Sequence, residues 1–159
     1  MTTPAERTAM IAKIRQLPSQ VEAAVKGLND AQLDTPYGEG KWTPRQVVHH
    51  LADSHLNAFI RVKLILTEDK PTLKPYDQVK WANTHEAKDL PVAPSLAIIG
   101  GLHSRWSALL DSVRDTDWQR KAQHPERGEM TLDDILRLYA HHGENHVGQI
   151  TGLRQRKGW

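Results

Sequence analysis

Apolar residues recur three and four positions apart in four separate segments of this 159-residue chain, while runs alternating with period two are almost absent. A helix brings such positions onto one face, whereas a half-buried strand needs strict alternation, so the chain is committed to packing helix on helix. The first segment reads as helix from Pro4 to about Asn29, with Met10, Ile11, Ile14, Leu17, Val21, Ala24, Val25 and Leu28 at helical spacing. Pro18 falls in its middle and is predicted to kink or split it, because proline has no N–H to give the preceding turn. After the turn-rich stretch DTPYGEGKW, Thr43 offers an N-cap and Pro44 a first helical residue. The second helix then runs to about Leu66 with Val47, Leu51, Ala58, Val62 and Ile65 on one stripe. A third, SLAIIGGLHSRWSALLDSV, places Ile98, Leu102, Trp106, Leu109 and Val113 on its inner face. The last starts at Thr131, with capping-box spacing to Asp134, and turns Ile135, Leu138, Tyr139, Val147 and Ile150 inward. The expected fold is all-α, a four-helix bundle.

Two connections interrupt the helices. Residues Thr67 to Pro94 contain four prolines and few apolar positions, so they read as a long loop between the second and third helices, with a short helical turn around Asp77 to Asn83. Long ordered loops in small domains often cover functional sites. WQRKAQHPERGEMT carries turn chemistry at Pro125 and Gly128 and reads as a small hairpin before the last helix.

One core suits this length, so residues 1–159 are read as a single domain. A formal charge of +2 from 21 basic and 19 acidic residues is too balanced for an electrostatic nucleic-acid binder. Neither a secretory leader nor a stretch approaching the ~20 apolar residues of a membrane span is visible, and a cytoplasmic location is expected. The chain has no cysteine. Any metal must therefore be held by histidine or carboxylate, and any thiol must come with the substrate.

Nine histidines are present, and three stand within six residues in YAHHGENHVGQI. Residues four apart lie ~40° apart around a helix, so His142 and His146 share a face and can take two positions of one divalent ion. His141 points ~100° away and reads as a bystander, and Glu144, ~200° from His142, reads as surface. VVHHLADSH on the second helix supplies a further cluster. The wheel puts His55 on the apolar face, His50 at its edge beside Ser54, Asn57 and Arg61, and His49 toward solvent. Either His50 or His55 could complete a site; a core histidine satisfied by hydrogen bonds is the plainer reading of His55. Three histidines without a fourth protein ligand leave a coordination position open, the pattern of catalytic rather than structural zinc.

The stretches GEGKWTPRQVVHHLADSH, RVKLILTEDKPTLKPYDQVKWA, LHSRWSALL, HPERGEMTLDD and YAHHGENHVGQI, in this order from about Leu33 onward, resemble the YfiT branch of the DinB-like superfamily. That branch includes metal-dependent hydrolases and bacillithiol S-transferases. The resemblance implies an up-down four-helix bundle, often homodimeric, with one metal per chain held by His50, His142 and His146. It implies zinc, with nickel as the alternative, and bacillithiol as a conceivable co-substrate. No protein general base is evident.

The expected function is thus a metal-dependent enzyme whose open three-histidine site activates water or a low-molecular-weight thiol against a small electrophile. The alternative is a non-catalytic stress-response or binding protein with a structural or vestigial metal. Arg61, Tyr76, Trp81, His103, Arg105 and His124 are candidates for the pocket rim, against plainer roles: packing for Trp81 and Trp106, solvated or ion-paired positions for Arg61 and Arg105, a turn position for His124.

Overall fold

Three of the four long helices begin on a complete capping box. In the computed structural model, which describes residues 2–159, these are Thr3 with Glu6 at α1 (Pro4–Val25), Thr43 with Gln46 at α3 (Pro44–Thr67) and Thr131 with Asp134 at α7 (Leu132–Lys157). Each box satisfies two backbone N–H groups that the first turn leaves without partners, so these helix starts are encoded locally. Helix α6 (Ala93–Asp111) has no such cap and opens on a proline turn. Single helical turns, α2 (Asp30–Leu33), α4 (Gln78–Trp81) and α5 (His85–Asp89), punctuate the connections.

The chain is a four-helix bundle with one two-stranded hairpin, β1 (Lys121–His124) pairing antiparallel with β2 (Gly128–Thr131). Helices α1 and α3 each pack against both α6 and α7, which places sequence neighbours on the diagonals. Directions follow from the contacts. The start of α7 meets the start of α1 through Asp133 and Arg7, and its end meets the end of α1 through Arg154 and the Ala24 carbonyl, so the two are parallel. His49 with Ser95 and His55 with His103 make α3 parallel to α6. His50 with His142 and Arg61 with Tyr139 make α3 antiparallel to α7.

The order is therefore up-down-down-up, a refinement of the simple alternation that the resemblance suggested. Its physical reason is the long loop. Two successive parallel helices require a return over the length of α3, ~36 Å at 1.5 Å per residue, and residues 68–92 supply it. This return is pinned midway: the Leu73 N–H donates to the Gln123 carbonyl at 2.8 Å and the Gln123 N–H to the Pro71 carbonyl at 2.9 Å, so it lies along the outer edge of β1.

Three expectations are corrected. Helix α1 ends at Val25 rather than near Asn29, because Gly27 adopts a left-handed φ of 78° that stops it. Of the kink or split expected at Pro18, the split is excluded, because α1 is continuous through it. On α6 the buried stripe is Ile99, Leu102, Trp106 and Leu110, leaving Ile98 48% exposed; the helix is rotated so that His103 faces inward.

The core has two apolar clusters. One gathers Ile14, Val62, Ile65, Trp106, Ile135 and Leu136; the other gathers Leu17, Val21, Val47, Leu51, Ile99 and Ile150. On α7 the residues between them include His142 and His146 and on α3 they include His55, on which His103 of α6 stacks with ring centroids 4.9 Å apart. A buried layer of imidazoles thus divides the core.

Candidate metal centre

His50 on α3 and His142 and His146 on α7 converge through their Nε2 atoms. His50 Nε2 lies 3.3 Å from His142 Nε2, and His146 Nε2 lies 3.2 Å from it. One ring nitrogen from each of the three, all potential metal ligands, falls within 4.8 Å of the others. The antiparallel pairing of α3 and α7 produces this, laying the edge of one helix against the inner face of the other.

The remaining ring nitrogens fix where the protons are. His103 Nδ1 is 2.6 Å from the carbonyl oxygen of Ile14, which can only accept, so His103 donates there and its Nε2 is left as an acceptor. His55 Nδ1 donates to that Nε2 at 2.9 Å, and His55 Nε2 in turn accepts from His142 Nδ1 at 3.1 Å. His142 therefore carries its proton on Nδ1 and presents a bare lone pair at Nε2. On the other side Gln149 Oε1 accepts from His146 Nδ1 at 2.8 Å, so His146 also presents a lone pair at Nε2.

Burial keeps these rings neutral. It lowers His142 to about 2 and His50 to about 3, in both cases reinforced by the neighbouring histidines. Burial also lowers His146, against the opposing effect of the bond it donates to Gln149, and holds His55 well below its ordinary value. Two lone pairs facing each other at 3.2 Å with no proton between them repel, and a cation between them removes the repulsion.

The Ile14 acceptor exists because of Pro18. In an uninterrupted helix the Ile14 carbonyl would bond the N–H of residue 18; proline has none, so the oxygen is free for His103. The residue expected to kink or split α1 opens one carbonyl toward the histidine layer.

Other residues fall as follows. Trp42 packs against His50 with ring centroids 4.6 Å apart and stacks on His146 at 6.2 Å, closing one side of the cluster. On the other side a cavity of about 490 Å³ is lined by Ser54, Arg61, Tyr76, His124, Tyr139 and His142, among others. Of the rim candidates, Arg61, Tyr76 and His124 line it. Trp81 packs on Tyr76 at 4.6 Å and stays 41% exposed, Arg105 lies over the Phe59 ring, and His103 is fully inside the bundle. Trp106 is core, as its packing reading had it.

His141 and Glu144 face away from the cluster, Glu144 pairing with Lys13 and with His141. His49, expected toward solvent, is buried: its ring bonds Ser95 Oγ and the Leu90 carbonyl, because the return segment and the start of α6 fold over it.

Periodicity set Ser54 beside His50 and turned Tyr139 inward without assigning either to the cavity, and it missed Gln149 and Trp42. Gln149, three residues from His146 on the same helix, was the one with a readable signal.

Comparison with known proteins gives one consistent picture. Residues 13–150 match the model of the DinB superfamily. A Geobacillus kaustophilus protein named "putative metal-dependent hydrolase" is 54% identical over 151 residues, covering 94% of this chain and 84% of the relative. One of the same name from Geobacillus thermodenitrificans is 51% identical, with 94% and 84% covered. Among solved structures, YfiT from Bacillus subtilis, described as a probable metal-dependent hydrolase with an unusual four-helix bundle topology, superposes with a TM-score of 0.97. It is 41% identical, over 100% of this chain and 91% of that one. This chain belongs to the DinB superfamily.

Proposed function

We propose that the chain is a metal-dependent hydrolase in which His50, His142 and His146 hold one divalent ion through Nε2. The carrying observation is the nitrogen spacing. Two imidazole nitrogens ~2.05 Å from a tetrahedral ion stand ~3.3 Å apart, and the pairs here stand at 3.2 and 3.3 Å. Zinc suits this spacing best, and nickel is the second choice because imidazole ligates both. The hydrolase names of the relatives support the same reading.

A divalent ion held there supplies Lewis acidity, bringing the pKa of a bound water or thiol toward neutrality. The protein residues do the rest. Trp42 shields the cluster from one side, so a substrate approaches through the cavity beside His142. Burial raises the Tyr76 hydroxyl above its ordinary value, keeping it protonated as a hydrogen-bond donor for a substrate oxygen.

A second reading, thiol S-transfer to a small electrophile, is favoured by the cationic Arg61 and the neutral imidazole donor of His124 on the cavity wall and by the absence of cysteine. The thiol would be acidic and of low molecular weight, such as bacillithiol where the organism makes it.

The test begins with elemental analysis of untagged protein. We expect about one zinc or nickel per chain, lost in His50→Ala, His142→Ala and His146→Ala. Metal content far below one per chain that added zinc or nickel does not restore would sink the proposal. Ester and amide substrates are then assayed on the loaded protein with and without thiol, and turnover that requires the thiol would replace hydrolysis by transfer.

A further inference from the structure

The cavity beside His142 holds a buried cation without an anion. Arg61 is only 8% exposed, yet among the described residues no carboxylate lies within 4.0 Å of its guanidinium. Its hydrogen bonds go to neutral oxygens: NH1 to the Tyr139 hydroxyl at 3.3 Å and NH2 to the Lys74 carbonyl at 2.8 Å. Two of five donors are thereby used. Arg45, the other buried arginine of α3, shows the contrast, since Asp30 and Asp34 both pair with it. An unpaired buried charge is costly, and an anionic ligand that completes the pair relieves that cost.

A second donor stands on the same wall. His124 is buried, and its Nδ1 accepts the Glu126 backbone N–H at 3.2 Å, so the ring proton sits on Nε2. No protein partner for that Nε2–H occurs among the described residues. Arg127, exposed at the turn of the hairpin, adds a second positive charge to the lining. The two carboxylates of the lining do not neutralise Arg61: Asp77 caps α4 and pairs with Lys80, and Glu126 is exposed on the hairpin turn.

We infer that Arg61 and His124 form an anion subsite for a carboxylate of the small-molecule ligand, several bonds away from the group that reacts beside His142. This deepens the proposed function and rests on it for the position of the reacting group, whereas the subsite itself needs only Arg61, His124 and the cavity. The guanidinium fork and the imidazole N–H give a planar carboxylate two or three charge-assisted bonds within the cavity. The pinned return segment carries Lys74, so the arginine is held in place before ligand arrives. Ligands with an acid group would be selected over neutral analogues of the same length.

The experiment uses two probes of equal length, hexanoate and hexanamide, titrated into metal-free protein while the Arg61 Nε–H and His124 Nε2–H resonances are followed by NMR. Saturable shifts are expected with hexanoate, with a Kd at least tenfold below that of hexanamide. Arg61→Gln should abolish this preference, Arg61→Lys should keep part of it, and His124→Phe should reduce it severalfold. Equal affinity for the two probes, or a preference that survives in natively folded Arg61→Gln, overturns the subsite. Should Arg61→Gln fail to fold, Arg61→Lys and His124→Phe decide, and unchanged discrimination in both overturns it.

A second arm uses cobalt-loaded protein and the thiols 6-mercaptohexanoate and 6-mercaptohexanol, read by the sulfur-to-cobalt absorption band. The acid thiol should bind at least tenfold more tightly than the alcohol, and equal binding would overturn the link to the reacting position. Failure of cobalt to bind counts against the proposed function alone, and failure of the metal-free titration against the subsite alone.

Discussion

His103 donates its Nδ1 proton to the carbonyl oxygen of Ile14 across 2.6 Å, and that bond sets the direction of every hydrogen bond from α1 to the three-histidine cluster. Outer partners of this kind orient a ligating imidazole and fix its tautomer, and losing one typically weakens metal binding ~10–100-fold. His103→Leu should therefore lower zinc affinity by about that factor, measured by competition with a chromogenic chelator. His103→Gln, which can still accept from His55, should recover part of it. Equal affinity in both variants and the parent would show that the relay is packing only.

Pro18 is the upstream end of the same relay. Pro18→Ala returns an N–H to the Ile14 carbonyl, improving α1 as a helix while competing with His103. We expect the metal-free protein to melt no lower than the parent and zinc affinity to fall severalfold. A lower melting temperature with unchanged affinity would assign Pro18 to helix shape alone.

Acid should act through the same imidazoles. Their folded pKa values are depressed, to about 3 for His50 and about 2 for His142, against ~6.5 in the unfolded chain. Below pH ~6.5 the unfolded chain takes up protons that the folded chain refuses, so stability is complete above that pH and declines as pH falls toward 3. Thermal melts of metal-free protein at pH 8, 6 and 4.5 should fall in that order. The zinc-loaded protein should fall more steeply, because protons and the ion compete for the same lone pairs. At pH 8, with free zinc at 100 times its Kd, chelation should remove ~2.7 kcal/mol, or roughly 5–10 °C.

Gly143 follows His142 where α7 crosses α1. A Cβ there would stand 2.6 Å from Leu17 Cδ2 and 3.2 Å from Leu17 Cγ, and Leu17 is itself core, so it has little room to yield. Gly143→Ala should destabilise by about 1–3 kcal/mol despite its better helix propensity, as read by denaturant unfolding. A neutral or stabilising result would mean that the two helices can separate here.

Asp53 lies one turn from His50 and has no hydrogen-bond partner for its carboxylate among the described residues. Burial, with the nearby Glu86 charge, raises it to about 6. A raised carboxyl opposes folding when ionised, so Asp53→Asn should stabilise at pH 8 by about 1 kcal/mol, discounted for partial exposure, and have no effect by pH 4. Activity loss in this variant with no change in stability would instead assign Asp53 a part in the reaction.

The sequence by itself determined the all-α class, the starts of α1, α3 and α7, and the shared face of His142 and His146. Caps act over three residues and helical period over four, so both are local and legible. Periodicity left His50 and His55 open, a choice that only the family resemblance made, placed His49 in solvent, and set Ile98 rather than Ile99 inside. A helical wheel measures angle about one axis and carries nothing about which element stands opposite. Only the tertiary structure supplies that: α7 meets the edge of α3 at His50, α6 meets its centre at His55, and the return segment covers His49. Pro18 shows the division most clearly. Its missing N–H is a property of the residue, but what the freed Ile14 oxygen does was decided by α6 bringing His103 within 2.6 Å of it.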